Sequence, residues 1–221
     1  MTTKPGRSPG RSTRDELVDA AKQLFYERGY EATSPRLIQD ASHAGQGSFY
    51  HHVPGKIDLA HAALRSIASE EIARIDDLFA ASKDPVSLVL AYLDLSRDAL
   101  GGCRLGRFAY ETSIAREQIS DPVVEYFRHL QGRLAEAIAD AQRQGLMKPG
   151  IDAERTALAV MATVQGAFIL ARAHGRSEVF EDAIAGARAL LEEAVLASRG
   201  RDAARGTRTR NARTGSGSKK P

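Results

Sequence analysis

Between residues 13 and 198 apolar positions recur every three or four residues, the period of helices that pack by one face. Leu17, Ala21, Leu24 and Phe25 begin the pattern. Thr13 and Glu16 stand at capping-box spacing before them, and Gly29 is placed to end that helix. A second helix is predicted from Thr33 or Ser34 to about Ser42, with Pro35 tolerated in its first turn. A very short third covers 46–51, and Pro54-Gly55 breaks the chain. A long helix is predicted over 57–81. Asp84-Pro85 opens another, to about Leu100, and a shorter one follows Gly101-Gly102 over 105–114. After Asp121-Pro122, the positions Val123, Phe127, Leu130, Leu134, Ile138 and Ala141 form one stripe. Asp152 caps a helix to about His174, and Ser177 caps the last, to about Ser198. No alternating stretch is bounded by hairpin turns, so the chain reads as all-α.

Composition narrows this picture. The chain has 221 residues, room for one large domain or two small ones, and 43% of them are apolar. The longest apolar runs fall short of the roughly 18–20 residues of a membrane helix. The N-terminus lacks the apolar core of a secretory signal. Cys103 is the sole cysteine and forms no intramolecular disulfide. These features point to a cytoplasmic protein that makes no use of a membrane. The net charge of +3 is unevenly spread. Residues 61–198 carry fifteen Lys/Arg against twenty Asp/Glu, whereas 199–221 carry eight against one. Residues 1–12 and 200–221 are rich in Gly, Ser and Arg and read as basic arms. Such arms serve either solubility or a polyanion.

The three short helices within 13–52 have the layout of a helix-turn-helix, whose second helix enters the major groove. Specific residues sharpen it: Leu24-Phe25, Gly29-Tyr30, Thr33-Ser34 and Ile38, then Gly47-Ser48-Phe49-Tyr50-His51-His52, then Lys56 and Asp58-Leu59. In order and spacing this stretch resembles the N-terminal domain of the TetR (tetracycline-repressor-like) regulators. The resemblance implies a DNA-binding domain over 13–60 and a helical effector-binding and dimerisation domain over 61–199. It implies that Thr33 and Ser34 meet phosphate, and that Gly45, Gln46, Gly47 and Ser48 open the recognition helix. Tyr50 and His51 then touch the backbone, and Lys56 meets a phosphate. Helix N-termini and hydroxyls are phosphate donors, and a glycine lets the backbone approach DNA closely. A Gln amide pairs with adenine, which makes Gln46 the candidate base reader. The chain departs from the family pattern at His43, Gly45 and Gln39.

The same resemblance makes the remainder a sensor and dimeriser. The last two helices would pair with their copies through Ala157, Val160, Val164, Ala167 and Ala171, and through Phe180, Ile184, Ala187, Leu191 and Ala194. A small-molecule effector would meet Tyr92, Phe108, Tyr110, Tyr126, Met161, Gln165 and Phe168. Cys103, between Gly102 and Arg104, is a candidate redox sensor, because nearby guanidinium groups favour a thiolate. The plainer reading is a small buried hydrophobe.

Enzyme motifs are absent: no Gly-x-Ser-x-Gly, no Walker loop and no dinucleotide fingerprint. No cofactor or metal is implied, since the adjacent His51 and His52 point apart on a helix. The expectation is a homodimeric DNA-binding regulator, a repressor released by a ligand from an inverted-repeat operator in double-stranded DNA. The rivals are a helical small-molecule carrier and a sequence-blind nucleoid protein.

Overall fold

The structure is a computed structural model. It describes residues 12–42, 44, 46–112, 114 and 119–195, and the side chains of Gln46 and Ser48 are not described. The basic arm up to residue 11 and the tail over 200–221 lie outside the described residues. Among those described there are eight α-helices, one 3₁₀ turn and no strand.

α1 (Thr13–Arg28) is capped one residue earlier than the spacing implied. The Ser12 hydroxyl accepts from the Asp15 N–H, and the Asp15 carboxylate accepts from the Ser12 N–H, both at 3.2 Å. Ser-x-x-Asp and Thr-x-x-Glu overlap here and both satisfy the capping pattern; the box closes on the first. Gly29 ends the helix at φ 87° and ψ 164°, a region that side chains enter only under strain. α2 (Pro35–Ser42) and α3 (Gln46–His52) pack on α1. Leu17, Phe25, Ile38, Phe49 and Leu59 are buried as the core of this three-helix head.

α4 (Lys56–Ala80) follows, and Lys22 of α1 donates to its Ser66 at 3.2 Å and pairs with its Glu70. α5 (Pro85–Leu93) starts where Asp84 accepts from the Val86 N–H at 3.3 Å. It stops at Leu93, not near residue 100. Farther along, Asp98 turns the chain: its carboxylate accepts from the Gly101 N–H and its carbonyl from the Gly102 N–H, each at 2.9 Å. A short acidic side chain that bonds nearby backbone competes with the helix. The helix expected over 105–114 is instead a 3₁₀ turn, Gly106–Tyr110. Its bonds span three residues, as from the Phe108 N–H to the Leu105 carbonyl at 3.1 Å.

α6 (Asp121–Arg143) buries Val123, Leu130, Leu134, Ile138 and Ala141 of the predicted stripe, whereas Phe127 is half-buried and Tyr126 is buried in its stead. α7 (Ala153–His174) starts on Asp152, which accepts from the Arg155 N–H at 3.0 Å, and ends on Gly175. α8 (Glu178–Val195) follows directly and packs along α7.

Packing divides the chain into two compact units. Of the described residues, one unit holds those up to Asp76 and from Arg97 to Leu130. The other holds 77–96 and everything from Gln131 onward. The expected boundary at residue 60 falls inside α4, which runs through it unbroken.

In the second unit the stripe Ala157, Val160, Val164, Ala167 and Ala171 is buried within its own chain, as are Phe180 and Ile184. This corrects the expectation that these positions face a second subunit. Periodicity marks a buried face but not what buries it; here α7 packs that side against its own chain. The rings of Phe168 and Phe180 lie 4.7 Å apart across α7 and α8. Ala187, Leu191 and Ala194 are half-buried. What the two helices leave in solvent is a different apolar face, with Leu158, Ile169 and Leu170 on α7 and Leu190 on α8. By length and composition α7 is also apolar enough to cross a bilayer, alone among the described helices. The charges Glu154, Arg155 and Arg172 at its ends keep its uninterrupted apolar run short. A core helix with one buried stripe meets the same test.

Candidate nucleic-acid interface

The head presents the expected contact residues unequally. Thr33 is fully buried, at 0% exposure. Its hydroxyl donates to the Gly29 carbonyl at 2.7 Å, with the Leu24 carbonyl 3.3 Å away. A hydroxyl spent on the chain's own carbonyls does not reach a phosphate, so the expectation for Thr33 is corrected: it locks the turn between α1 and α2. Ser34 is exposed, and its oxygen accepts from the Leu37 N–H at 3.3 Å, the bond of an N-cap. Its O–H is not used in that bond and is free to donate outward. Thr33→Val should therefore lower stability by about 1–2 kcal/mol, for a lost buried hydrogen bond. It should leave the salt dependence of DNA binding as in the wild type. Urea melts and binding titrations check the two halves separately.

His43 and Gly45, in the turn between α2 and α3, lie outside the described residues. Gln46 begins α3, although its side chain and that of Ser48 are not described. Gly47 is exposed, and a Cβ built on it meets nothing within 4 Å. Phe49 anchors α3 in the core, while Tyr50, 56% exposed, packs its ring edge-on at 5.1 Å from Phe49. His51 is exposed and His52 half-buried. One face of α3 is thus held and the other is open.

Lys56 occupies the first position of α4. A cation is disfavoured at the positive end of a helix dipole, so this placement needs compensation. Part of it comes from Tyr30, whose ring centroid lies 4.1 Å from the Lys56 ammonium. Tyr30 is itself buried. In the sequence Tyr30 is only a landmark, because nothing in the spacing shows that it meets a residue beyond α3.

The effector candidates divide between the units. Phe108, Tyr110 and Tyr126 belong to the first; Tyr92, Met161, Gln165 and Phe168 belong to the second. Tyr92, Phe108, Tyr126, Met161 and Phe168 are buried, and Gln165 is half-buried. Tyr110 is 75% exposed at the end of the 3₁₀ turn, which removes it from a buried lining. Cys103 is half-buried and its sulfur accepts from the Gly106 N–H at 3.2 Å. The guanidinium groups expected to activate it are engaged elsewhere. Arg104 bonds Glu70 and Glu71 at 3.1 and 3.2 Å, and Arg107 stands 6.0 Å from the Tyr26 ring. Cys103 is also not fully buried, as the plainer reading would have it. No cluster of three metal-ligating side chains occurs among the described residues.

Comparison with known proteins places these features. Residues 17–63 match the model for bacterial regulatory proteins of the tetR family, and residues 86–187 match the tetracyclin repressor-like C-terminal domain. The chain is 26% identical, over 72% of its length and 83% of the relative's, to an HTH-type transcriptional regulator in the lacX 3' region of Lactococcus lactis subsp. lactis. It is also 26% identical to the HTH-type transcriptional repressor DhaR of Mycobacterium sp. (strain GP1), over 71% of this chain and 80% of that one. A solved TetR transcriptional regulator from Chloroflexus aurantiacus J-10-FL superposes with a TM-score of 0.76 at 27% identity. That match covers 83% of this chain and 96% of the other.

Proposed function

The chain belongs to the TetR family of bacterial transcriptional regulators, and from that premise we propose a homodimeric repressor that a small ligand releases from an inverted-repeat operator. It is a DNA-binding regulator and not an enzyme, as its matched domains and relatives are regulators. The observation that carries the operator reading is α3. It is anchored by Phe49 and carries Gly47 and Tyr50 open to solvent, beside a Lys56 held over Tyr30. Ser34, Tyr50, His51 and Lys56 serve phosphates. Gly45, Gln46, Gly47 and Ser48 approach the bases, and Gln46 reads one.

The dimer forms through the outer face of α7 and α8, where Leu158, Ile169, Leu170 and Leu190 stand in solvent. A two-fold dimer then asks for two half-sites in inverted orientation. In the second unit Tyr92, Met161, Gln165 and Phe168 are the residues we assign to an apolar effector. The protein works in the cytoplasm, where its DNA is.

The test begins with a random pool of duplexes from which the purified protein selects its ligand. An inverted repeat should emerge. Against it, Gln46→Ala should relax preference at one position of each half-site, at about 1–3 kcal/mol per lost pair. Lys56→Ala should weaken all sequences alike and shallow the salt slope by about one unit per subunit. A pool enriched in no sequence would point to a nucleoid protein, and no binding at all to a carrier.

A further inference from the structure

Glu111 follows the 3₁₀ turn, within the stretch that matches the C-terminal family model, yet its carboxylate reaches the turn between α1 and α2. Oε1 accepts from the Tyr30 N–H at 2.9 Å, and Oε2 from the Glu31 N–H at 3.2 Å. Two backbone donors on one carboxylate make a charge-assisted fork, stronger than a pair of neutral bonds. Gly29 makes the approach possible, since a Cβ there would stand 2.5 Å from Oε1.

The same segment is tied to the head and to α4 at other points. The Tyr26 hydroxyl donates to Asp98 at 3.3 Å, beneath Arg107. Burial, and after it the Asp98 carboxylate, pushes that hydroxyl above its ordinary value. Arg104 bonds Glu70 and Glu71 of α4, and Lys22 of α1 pairs with Glu70 as well. Beyond the latched amides, the Tyr30 ring lies under the Lys56 ammonium. A line of contacts therefore runs from Glu111 through Tyr30 to Lys56.

We propose that Glu111 is a positioning residue for DNA binding: by holding the Tyr30 and Glu31 amides it keeps Tyr30 beneath Lys56 and so aims that cation at the phosphate. The inference rests on the operator reading above. It gives the 98–111 segment a direct means of altering affinity, since withdrawing one side chain releases two amides at once.

Glu111→Ala and Glu111→Gln in the full chain test it, against the duplex that the wild type selects. Glu111→Ala should keep the wild-type circular dichroism, speed hydrogen exchange at amides 30 and 31, and weaken binding about tenfold. Glu111→Gln keeps one acceptor and should fall between. Combining Glu111→Ala with Lys56→Ala should weaken binding by less than the product of the single effects, because both act at one contact. If Glu111→Ala speeds exchange but binds as the wild type does, or if the double variant shows the full product, the latch has no part in DNA binding. The same holds for Glu111→Gln should Glu111→Ala fail to fold. A wild-type chain that selects no duplex overturns the operator reading together with this one, whereas the variant results overturn this one alone.

Discussion

Ile169→Asp combined with Leu190→Asp should turn the proposed dimer into a folded monomer and lower affinity for the proposed inverted repeat by a factor of about 100 or more, on the order of what linking two half-sites supplies. Ile169 is 53% and Leu190 72% exposed in the single chain, so neither belongs to its core. Exposed substitutions of this kind leave the fold's own stability within about 0.5 kcal/mol. At a two-fold contact the same aspartates would be buried unpaired against their copies, at a penalty of several kcal/mol. Sedimentation gives the assembly state, and binding to whole and half operators gives the affinity. The α7/α8 face is not the interface if the double variant still sediments as a dimer. It is irrelevant to operator binding if the monomer binds the whole operator as tightly as the wild type.

Gly47→Ala should separate stability from function. The site is open, with nothing within 4 Å of a built Cβ, so the methyl group clashes with no part of the chain. Alanine in place of glycine in a helix stabilises by up to about 1 kcal/mol. In the proposed complex the same methyl would stand where the backbone of α3 approaches the groove, and a misplaced methyl group in a packed contact costs about 1–3 kcal/mol. With two subunits on the operator, the loss reaches roughly thirtyfold or more. The expected result is a variant that melts higher and binds more weakly. If Gly47→Ala binds normally, α3 does not approach DNA at this residue and the register of the recognition helix must shift.

Local signals in the sequence are legible where one residue suffices. Asp84 before Pro85, Asp152 and Gly29 each start or stop a helix through a bond to the adjacent backbone. Ambiguity entered where two residues satisfy the same rule, as Ser12 and Thr13 do at the first cap. It entered again after Leu93, where Asp98 draws its turn and nothing in the apolar pattern foretells it. Thr33 shows a deeper limit. A hydroxyl before a helix reads as a phosphate donor, and only the path of α1 reveals that it faces the Gly29 carbonyl. The stripe on α7 was seen correctly as apolar and assigned to the wrong neighbour. Glu111 carries no signal in the sequence, because its partners lie some eighty residues earlier and no period connects them.

That separation has a consequence during synthesis. The Tyr30 amide and the carboxylate that accepts its hydrogen are 81 residues apart along the chain. At about 5–20 residues per second, a ribosome needs roughly 4–16 s to travel from one to the other. Throughout that interval the apolar core of α1 to α3 can assemble from neighbouring residues, while the amides at 30 and 31 keep their water. A head made before residue 111 therefore lacks the carboxylate that accepts from both amides in the finished chain.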